Sequence, residues 1–385
     1  MHVIILAGGF ATRLRPLTLT RPKPLLPILD KPLLDWIYES LIRENVKRIT
    51  LTLYNMADQI IEHVRTNWRN NVKIDYVLER TPMGDGGAIV NVVNTLAGDI
   101  EYPVIVMYGD LFTTISLGSV YRFHLENNGL MTVVGVYVND VSRYGVLEVS
   151  ENNTLKKILE KPRELAGREG LVNAGIYIVS EEAVRIMREI AERRSEKISI
   201  ARDIIPRLIE RGDVHVYIHQ GVWNDIGTPR DYFKTNLEAL KLLSEQETYI
   251  DPDAKISSRA KILGPAYIGK NVVIRDSVVI GKNTIIMEDT RIEEGVYIED
   301  SLIMRKSEIG SHTVVRGSII GENNYIGKWV RIYDESVLGA SIYISDLVCL
   351  PSRTLVLPYK EINEDLCKER IDMSRSRDDR GVIIV

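Results

Sequence analysis

At 385 residues the chain is long enough for two or more cores, since single domains mostly run to about 100–200 residues. A formal net charge of -4 excludes the broad basic field on which nucleic-acid binding relies, so any phosphate chemistry must be local. Cys349 and Cys367 alone are too few for a disulfide framework, and no apolar run reaches about 18 residues, so a soluble cytoplasmic protein with no membrane span is expected.

The first element is the strand-like "HVIIL", followed at once by "AGGFATRLRPLT". Gly8 and Gly9 let backbone N–H groups approach an anion with no Cβ in the way. No Gly-Lys-Ser/Thr closes the loop and no third glycine opens a helix, which excludes a P-loop and a dinucleotide fingerprint. Four prolines between Pro22 and Pro32 then forbid a regular helix or central strand. Arg21, Lys23 and Lys31 therefore sit on a stiffened, extended loop, which reads as a clamp for a triphosphate.

Next come a helix with Leu34, Ile37 and Leu41 at helical spacing, the strand "RITLTLY", the helix "MADQIIEHVRTNW" and the strand "KIDYVLE". The helix "GGAIVNVVNTLA" and the strand "PVIVMYGD" follow. This alternation predicts an α/β layered sheet whose ligand crevice lies at the carboxyl ends of its strands, where the glycine loop and "YGD" fall. Thr228-Pro229 begins another helix, behind which isoleucine recurs every sixth residue from Ile250 to Ile298. The register slips between Met304 and Ser318 and resumes from Ile320 to Leu350. Such hexapeptide periodicity predicts a triangular parallel β-helix of roughly five coils, whose open ends favour a homo-oligomer. The charged "DMSRSRDDRG" is expected to be mobile and the closing "VIIV" to dock. Domains are placed at residues 1–228, 249–358 and 359–385, with a linker helix at 229–248.

The motifs resemble those of the sugar-1-phosphate nucleotidylyltransferases, nearest to mannose-1-phosphate guanylyltransferase-like proteins that carry a hexapeptide domain. "LAGGFATRLRPLT" and "RPKP" match the signature, with Ala11 where that family has glycine; "PMGDGGAI", "YGD", "RYGVL", "EKP", "NAGIYI" and "WNDIGTP" follow in order. The resemblance implies a Rossmann-like catalytic domain with a mixed sheet, a left-handed β-helix, and synthesis of a nucleotide sugar from a nucleoside triphosphate and a sugar 1-phosphate. It further implies that Asp110 and Asp225 hold Mg²⁺, and that Arg13 and Lys23 neutralise phosphates. Lys161 then binds the sugar phosphate; Glu160, Asn173, Gly145 and Gly175 hold the sugar, and Leu6, Ala7, Gly8, Gly9 and Gly84 line the nucleotide. Such a transfer has no covalent enzyme intermediate and depends on positioning and charge neutralisation.

Guanine offers two adjacent donors that a carboxylate accepts together, whereas uracil and thymine place carbonyls there. Glu79 or Asp85 is the expected reader, which favours GTP. Alternatives are a thymidylyl- or uridylyltransferase, a bifunctional amino-sugar nucleotidylyltransferase/acetyltransferase, for which the one solenoid histidine, His312, reads instead as a loop residue at the slip, and a non-catalytic regulatory homologue. The retained Arg13, Lys23, Asp110, Lys161 and Asp225 argue against the last. His2, His63, His124, His215 and His219 lack metal-ligand spacing, and together with Trp36, Trp68 and Tyr76 they read as packing or exposed residues.

Overall fold

The computed structural model describes residues 1–385 except 70–71, 194–196, 246–247 and 368–382. It divides into two units, Met1–Phe10 with Leu33–Asp225, and Ala11–Pro32 with Ile226–Val385. The proline-rich segment thus groups with the C-terminal half of the chain.

The first unit is built on a nine-stranded mixed sheet. Its parallel part runs Val104–Tyr108, His2–Leu6, Arg48–Leu53, Lys73–Leu78 in spatial order. Val3, Ile4 and Ile5 are fully buried, so successive residues of the first strand face apolar layers on both sides. Gly170–Val179 then pairs antiparallel with Val104–Tyr108 and with Met131–Val138, converting the sheet to a mixed one. Helices follow the expected apolar spacings: Leu33–Arg43, Ala57–Asn67 and Gly84–Thr95 connect the parallel strands. Further along, Glu181–Glu192 is capped by Ser180, whose side chain accepts from the Ala183 N–H. Ile4, Ile89, Val106, Val133, Tyr177 and Ile204 share one core.

His2, His63 and Trp68 of this unit make packing contacts. His2 is buried against the Thr50 hydroxyl at 2.8 Å, and burial pulls its pKa down to about 4. His63 meets Asp35, and Trp68 donates to that carboxylate while stacking on Tyr38 at 4.0 Å.

In the second unit, three parallel sheets of eight, seven and six strands form the faces of a prism, the arrangement of a left-handed β-helix. The six-stranded face alone requires more coils than the roughly five that the period suggested. Ile268, Ile274, Ile280, Ile286, Ile292 and Ile298 point inward and are buried at 0–1% exposure. The inward row does not break at the expected slip. It continues through Ile303, Ile309 and Val315 to Ile320, and the strand pairs lose one residue at the corner before Ile303 and one at the corner before Ile320. Two coils of 17 residues therefore sit among coils of 18, with pairings such as Tyr297↔Val314 and Val314↔Arg331 beside Val279↔Tyr297.

The faces differ in chemistry. On the second and third, outward positions carry residues such as Lys255, Arg291, Glu308, Lys261 and Arg331. On the five middle strands of the eight-stranded face they are Tyr267, Ile285, Leu302, Ile319 and Val337, all at most 5% exposed, whereas Ile384 on the last strand is exposed. That face is apolar on both sides. The segment "DMSRSRDDRG" and Val382 of "VIIV" lie outside the described residues, whereas Ile383–Ile384 adds a last parallel strand beside Thr354–Val356, so the described part of "VIIV" docks. Although two cysteines offered no framework, Cys349 and Cys367 are joined by a disulfide.

Candidate active site

The strand His2–Leu6 ends at the glycine loop, and the neighbouring strand Val104–Tyr108 ends at Gly109-Asp110. Ala7 N–H donates to the Thr52 carbonyl and Gly109 N–H to that of Leu6, so the two turns lie side by side at strand ends. A Cβ on Gly8 would stand 3.2 Å from the Tyr54 Cβ and 3.4 Å from the Glu79 Oε1, which explains the first glycine as close packing. A Cβ on Gly9 would meet nothing within 4 Å. Its backbone is open to a ligand rather than constrained by protein.

Glu79 and Asp85, equivalent in the sequence, differ here. The Glu79 Oε2 accepts from the Met83 N–H at 3.0 Å, its other oxygen faces Gly8, and burial raises its pKa against the opposing effect of that hydrogen bond. Asp85 is held by three protein donors: Oδ1 accepts from the N–H groups of Gly86 and Ile200, and Oδ2 from the Tyr108 hydroxyl at 2.6 Å. Gly84 opens the helix and backs onto the Ile198 carbonyl, where a Cβ would come within 2.4 Å.

The sugar-side motifs are assembled by the antiparallel part of the sheet. Gly145 is the registered partner of Glu160, whose Oε2 would lie 3.0 Å from a Cβ there. Lys161 follows in the left-handed region at φ 51°, donates its N–H to the Tyr144 carbonyl, and places Nζ 3.3 Å from the Glu160 Oε1. Asn173 accepts from the Gly175 N–H and donates to the Tyr177 hydroxyl at 2.7 Å. Gly175 has φ 75° and a Cβ would fall 2.4 Å from the Tyr108 ring, so both backbone and space demand glycine.

Tyr108 and Tyr177 were not singled out in the sequence. They complete a hydrogen-bonded chain from Asp85 through both phenols to Asn173, and burial pushes both phenol pKa values well above the ordinary tyrosine value. The signal for them lay inside motifs already quoted, as the Tyr of "YGD" and the Tyr of "NAGIYI".

Asp225 is reached through a short two-stranded sheet. Trp223–Asp225 pairs antiparallel with Leu111–Thr113, in a register that sets Asp225 opposite Leu111, the residue after Asp110. Trp223 Nε1 donates to the Ala174 carbonyl, and its ring meets that of Tyr144 at 5.4 Å, tying this sheet to the sugar-side strands. Two hard carboxylate donors at adjoining positions suit a divalent ion that also takes phosphate oxygens.

Arg13 and Lys23 belong to the second unit. Arg13 is exposed on the turn Thr12–Leu14, and Lys23 opens the turn Lys23–Leu25. Ala11, standing where the resembled motif has glycine, is in the left-handed conformation at φ 47°. Its carbonyl accepts from the Thr18 hydroxyl and the Leu14 N–H. His312 occupies a β-helix corner and stacks on Trp329 at 4.3 Å.

A glycine cradle, two adjoining carboxylates and a polar pocket at strand ends are the equipment of an enzyme that transfers a nucleotidyl group, and residues 2–241 match the nucleotidyl transferase family model. The chain belongs to that family. Residues 262–372 match a second model, described as the GMPPB C-terminal domain. A putative mannose-1-phosphate guanyltransferase of Sulfolobus acidocaldarius is 39% identical over 70% of this chain and 72% of its own length. The mannose-1-phosphate guanyltransferase of Kluyveromyces lactis is 34% identical over 97% of this chain and all of its own. Among solved structures, HddC from Yersinia pseudotuberculosis, complexed with GMP-PN, superposes with a TM-score of 0.52 at 33% identity, covering 62% of this chain and 99% of HddC. Members of the family generally use a divalent metal. Among the described residues, no helix is long and apolar enough to cross a membrane.

Proposed function

We propose that this nucleotidyl transferase forms GDP-mannose and pyrophosphate from GTP and mannose 1-phosphate. The end-to-end likeness to relatives named for that reaction carries the reading. Glu79 supports the choice of base: with both Asp85 oxygens engaged by protein donors, it is the carboxylate beside the glycine loop with an oxygen facing Gly8, suited to the paired donors of guanine. Gly8 and Gly9 give their backbone to the nucleotide at the end of Leu6-Ala7, and Gly84 lets the next helix start close by.

A phosphate oxygen of the sugar 1-phosphate attacks the α-phosphorus, a new P–O bond forms, and the bond to the pyrophosphate breaks with its electrons leaving on oxygen. Lys161 pairs with the incoming phosphate, and Glu160, Asn173, Gly145 and Gly175 orient the sugar. Arg13 and Lys23 neutralise the triphosphate. Asp110 and Asp225 hold the metal, for which we propose Mg²⁺; once bound it supplies charge neutralisation at the phosphates. These groups act by placing one anion against another and offsetting their repulsion. We further propose a cytoplasmic homo-oligomer assembled through the β-helix, whose surface exposes Trp329, Tyr343 and Leu347.

Pyrophosphate release, measured across four nucleoside triphosphates and a panel of sugar 1-phosphates, tests the reaction. GTP with mannose 1-phosphate is expected to give the highest kcat/KM. A tenfold preference for any other pair overturns the assignment.

A further inference from the structure

The proline-rich segment has only short-range bonds of its own, the turn in which Leu25 and Leu26 donate to the Pro22 and Lys23 carbonyls and the two-residue pairing of Pro27–Ile28 with Lys31–Pro32, because proline lacks an N–H and its neighbours are pushed out of helix. Further supports come from elsewhere in its unit. The Leu29 N–H donates to the Asn236 Oδ1 at 2.8 Å, and the Tyr232 hydroxyl donates to the Pro27 carbonyl at 2.5 Å. Leu17, Thr20, Arg21 and Leu26 lie against Met304, Gly321, Glu322 and Ala340 of the β-helix.

One polar chain runs through this contact. The Arg21 Nη1 donates to the Leu25 carbonyl within the loop, while Nη2 reaches the Glu322 Oε2 at 2.6 Å. The other oxygen of Glu322 takes the Arg305 Nε at 3.0 Å, and the Arg305 Nη1 reaches the Glu288 Oε1 at 3.2 Å. Glu288, Arg305 and Glu322 sit on successive coils, since Lys306 N–H donates to the Glu288 carbonyl and Asn323 N–H to that of Arg305. The Glu322 side chain is only 11% exposed. The coil itself does not require a charge there: one coil further on, Ala340 fills the equivalent place, with Ser341 N–H donating to the Glu322 carbonyl.

We propose that Glu322, oriented by Arg305, is a positioning residue for the phosphate loop: through Arg21 it fixes the turn that carries Lys23. The inference rests on the reading of Lys23 as a phosphate ligand. It gives one rung of the β-helix a part in the reaction without placing any reacting group there. Removing the carboxylate leaves Arg305 with Glu288 as its partner but takes from Arg21 the anion that ties it to the β-helix, so the loop is released from that rung.

The full-length protein carrying Glu322→Gln tests this, with Glu335→Gln as control, because Glu335 pairs with Arg353 at 2.8 Å on an exposed corner. Hydrogen exchange of peptides spanning residues 11–32 is expected to speed up at least tenfold in Glu322→Gln and not in the control, with peptides from 266–356 unchanged. Turnover with the best substrate pair is expected to fall about tenfold in Glu322→Gln, and by no more than twofold when the same change is made in a Lys23→Ala background. Arg305→Lys is expected to show an intermediate loss. Unchanged exchange at 11–32, or acceleration spread over the β-helix as well, overturns the proposal; so does an equal turnover loss in the Lys23→Ala background. If no substrate pair is turned over by the wild type, the proposed reaction fails while the exchange measurement still decides whether Glu322 holds the loop.

Discussion

At the scale of single residues, Glu79 carries opposed demands. Burial raises its pKa, so its ionised form is disfavoured in the fold, yet an ionised carboxylate is what guanine's donors require. Glu79→Gln is therefore expected to raise Tm at pH 8. The gain should shrink as pH falls through the raised carboxyl pKa, because below it both side chains are neutral. The same variant should lower the GTP-over-UTP ratio of kcat/KM by roughly 10–100-fold, the worth of a charged hydrogen bond. Melting curves at pH 8 and pH 4, beside the two kcat/KM values, check both halves; an unchanged ratio removes Glu79 as the reader. The sequence could not separate Glu79 from Asp85. What distinguishes them is the Ile200 amide, 115 residues from Asp85, which no local pattern announces. The places of Gly8, Gly9, Asp110 and Asp225 at or beside strand ends were legible because a motif fixes them there.

At the scale of elements, the β-helix shows what a period reveals and what it hides. The inward isoleucines follow from spacing alone, since every sixth residue must face the axis. The apparent slip is two deletions at one corner, which displace the count while leaving Ile303, Ile309 and Val315 inward. The pairs "YI", "II" and "LI" at Tyr267, Ile285 and Leu302 also encode a covered face, but only comparison between the three faces exposes that signal. Ile285→Glu should accordingly cost about 3 kcal/mol or more, by burying a charge without a partner. Val279→Glu, outward on the partly exposed third face, should cost less than about 1 kcal/mol. Denaturant titration of the two variants measures the difference, and equal losses would show that the faces are equivalent.

At the scale of the whole molecule, the β-helix is a stack in which each coil leans on its neighbours, so its last coil is the natural place for fraying to start. Two devices secure that end. Ile383–Ile384 pairs with Thr354–Val356, and the disulfide joins Cys349 to Cys367, 18 residues on, which is the length of one regular coil. The Leu366 N–H donates to the Cys349 carbonyl, continuing the ladder beside that bond. Cys367→Ser is expected to lower stability by up to ~3 kcal/mol, the chain-entropy worth of a loop of that size. Reductant should lower the wild-type Tm to that of the variant and leave the variant unmoved. Identical melting of wild type with and without reductant would mean that the bond contributes nothing.

The Arg21–Glu322 pair also has a meaning in time. The two residues are 301 apart, so a ribosome that has just released the proline-rich loop must add the rest of the sheet and several coils before Glu322 exists. At about 5–20 residues per second that interval is roughly 15–60 s. Throughout it the nascent chain can complete the strands around Gly8 and Asp110 while its phosphate loop has no carboxylate to dock on. A chain stalled before residue 322 already holds the Asn236 and Tyr232 supports of that loop but lacks the carboxylate that anchors Arg21.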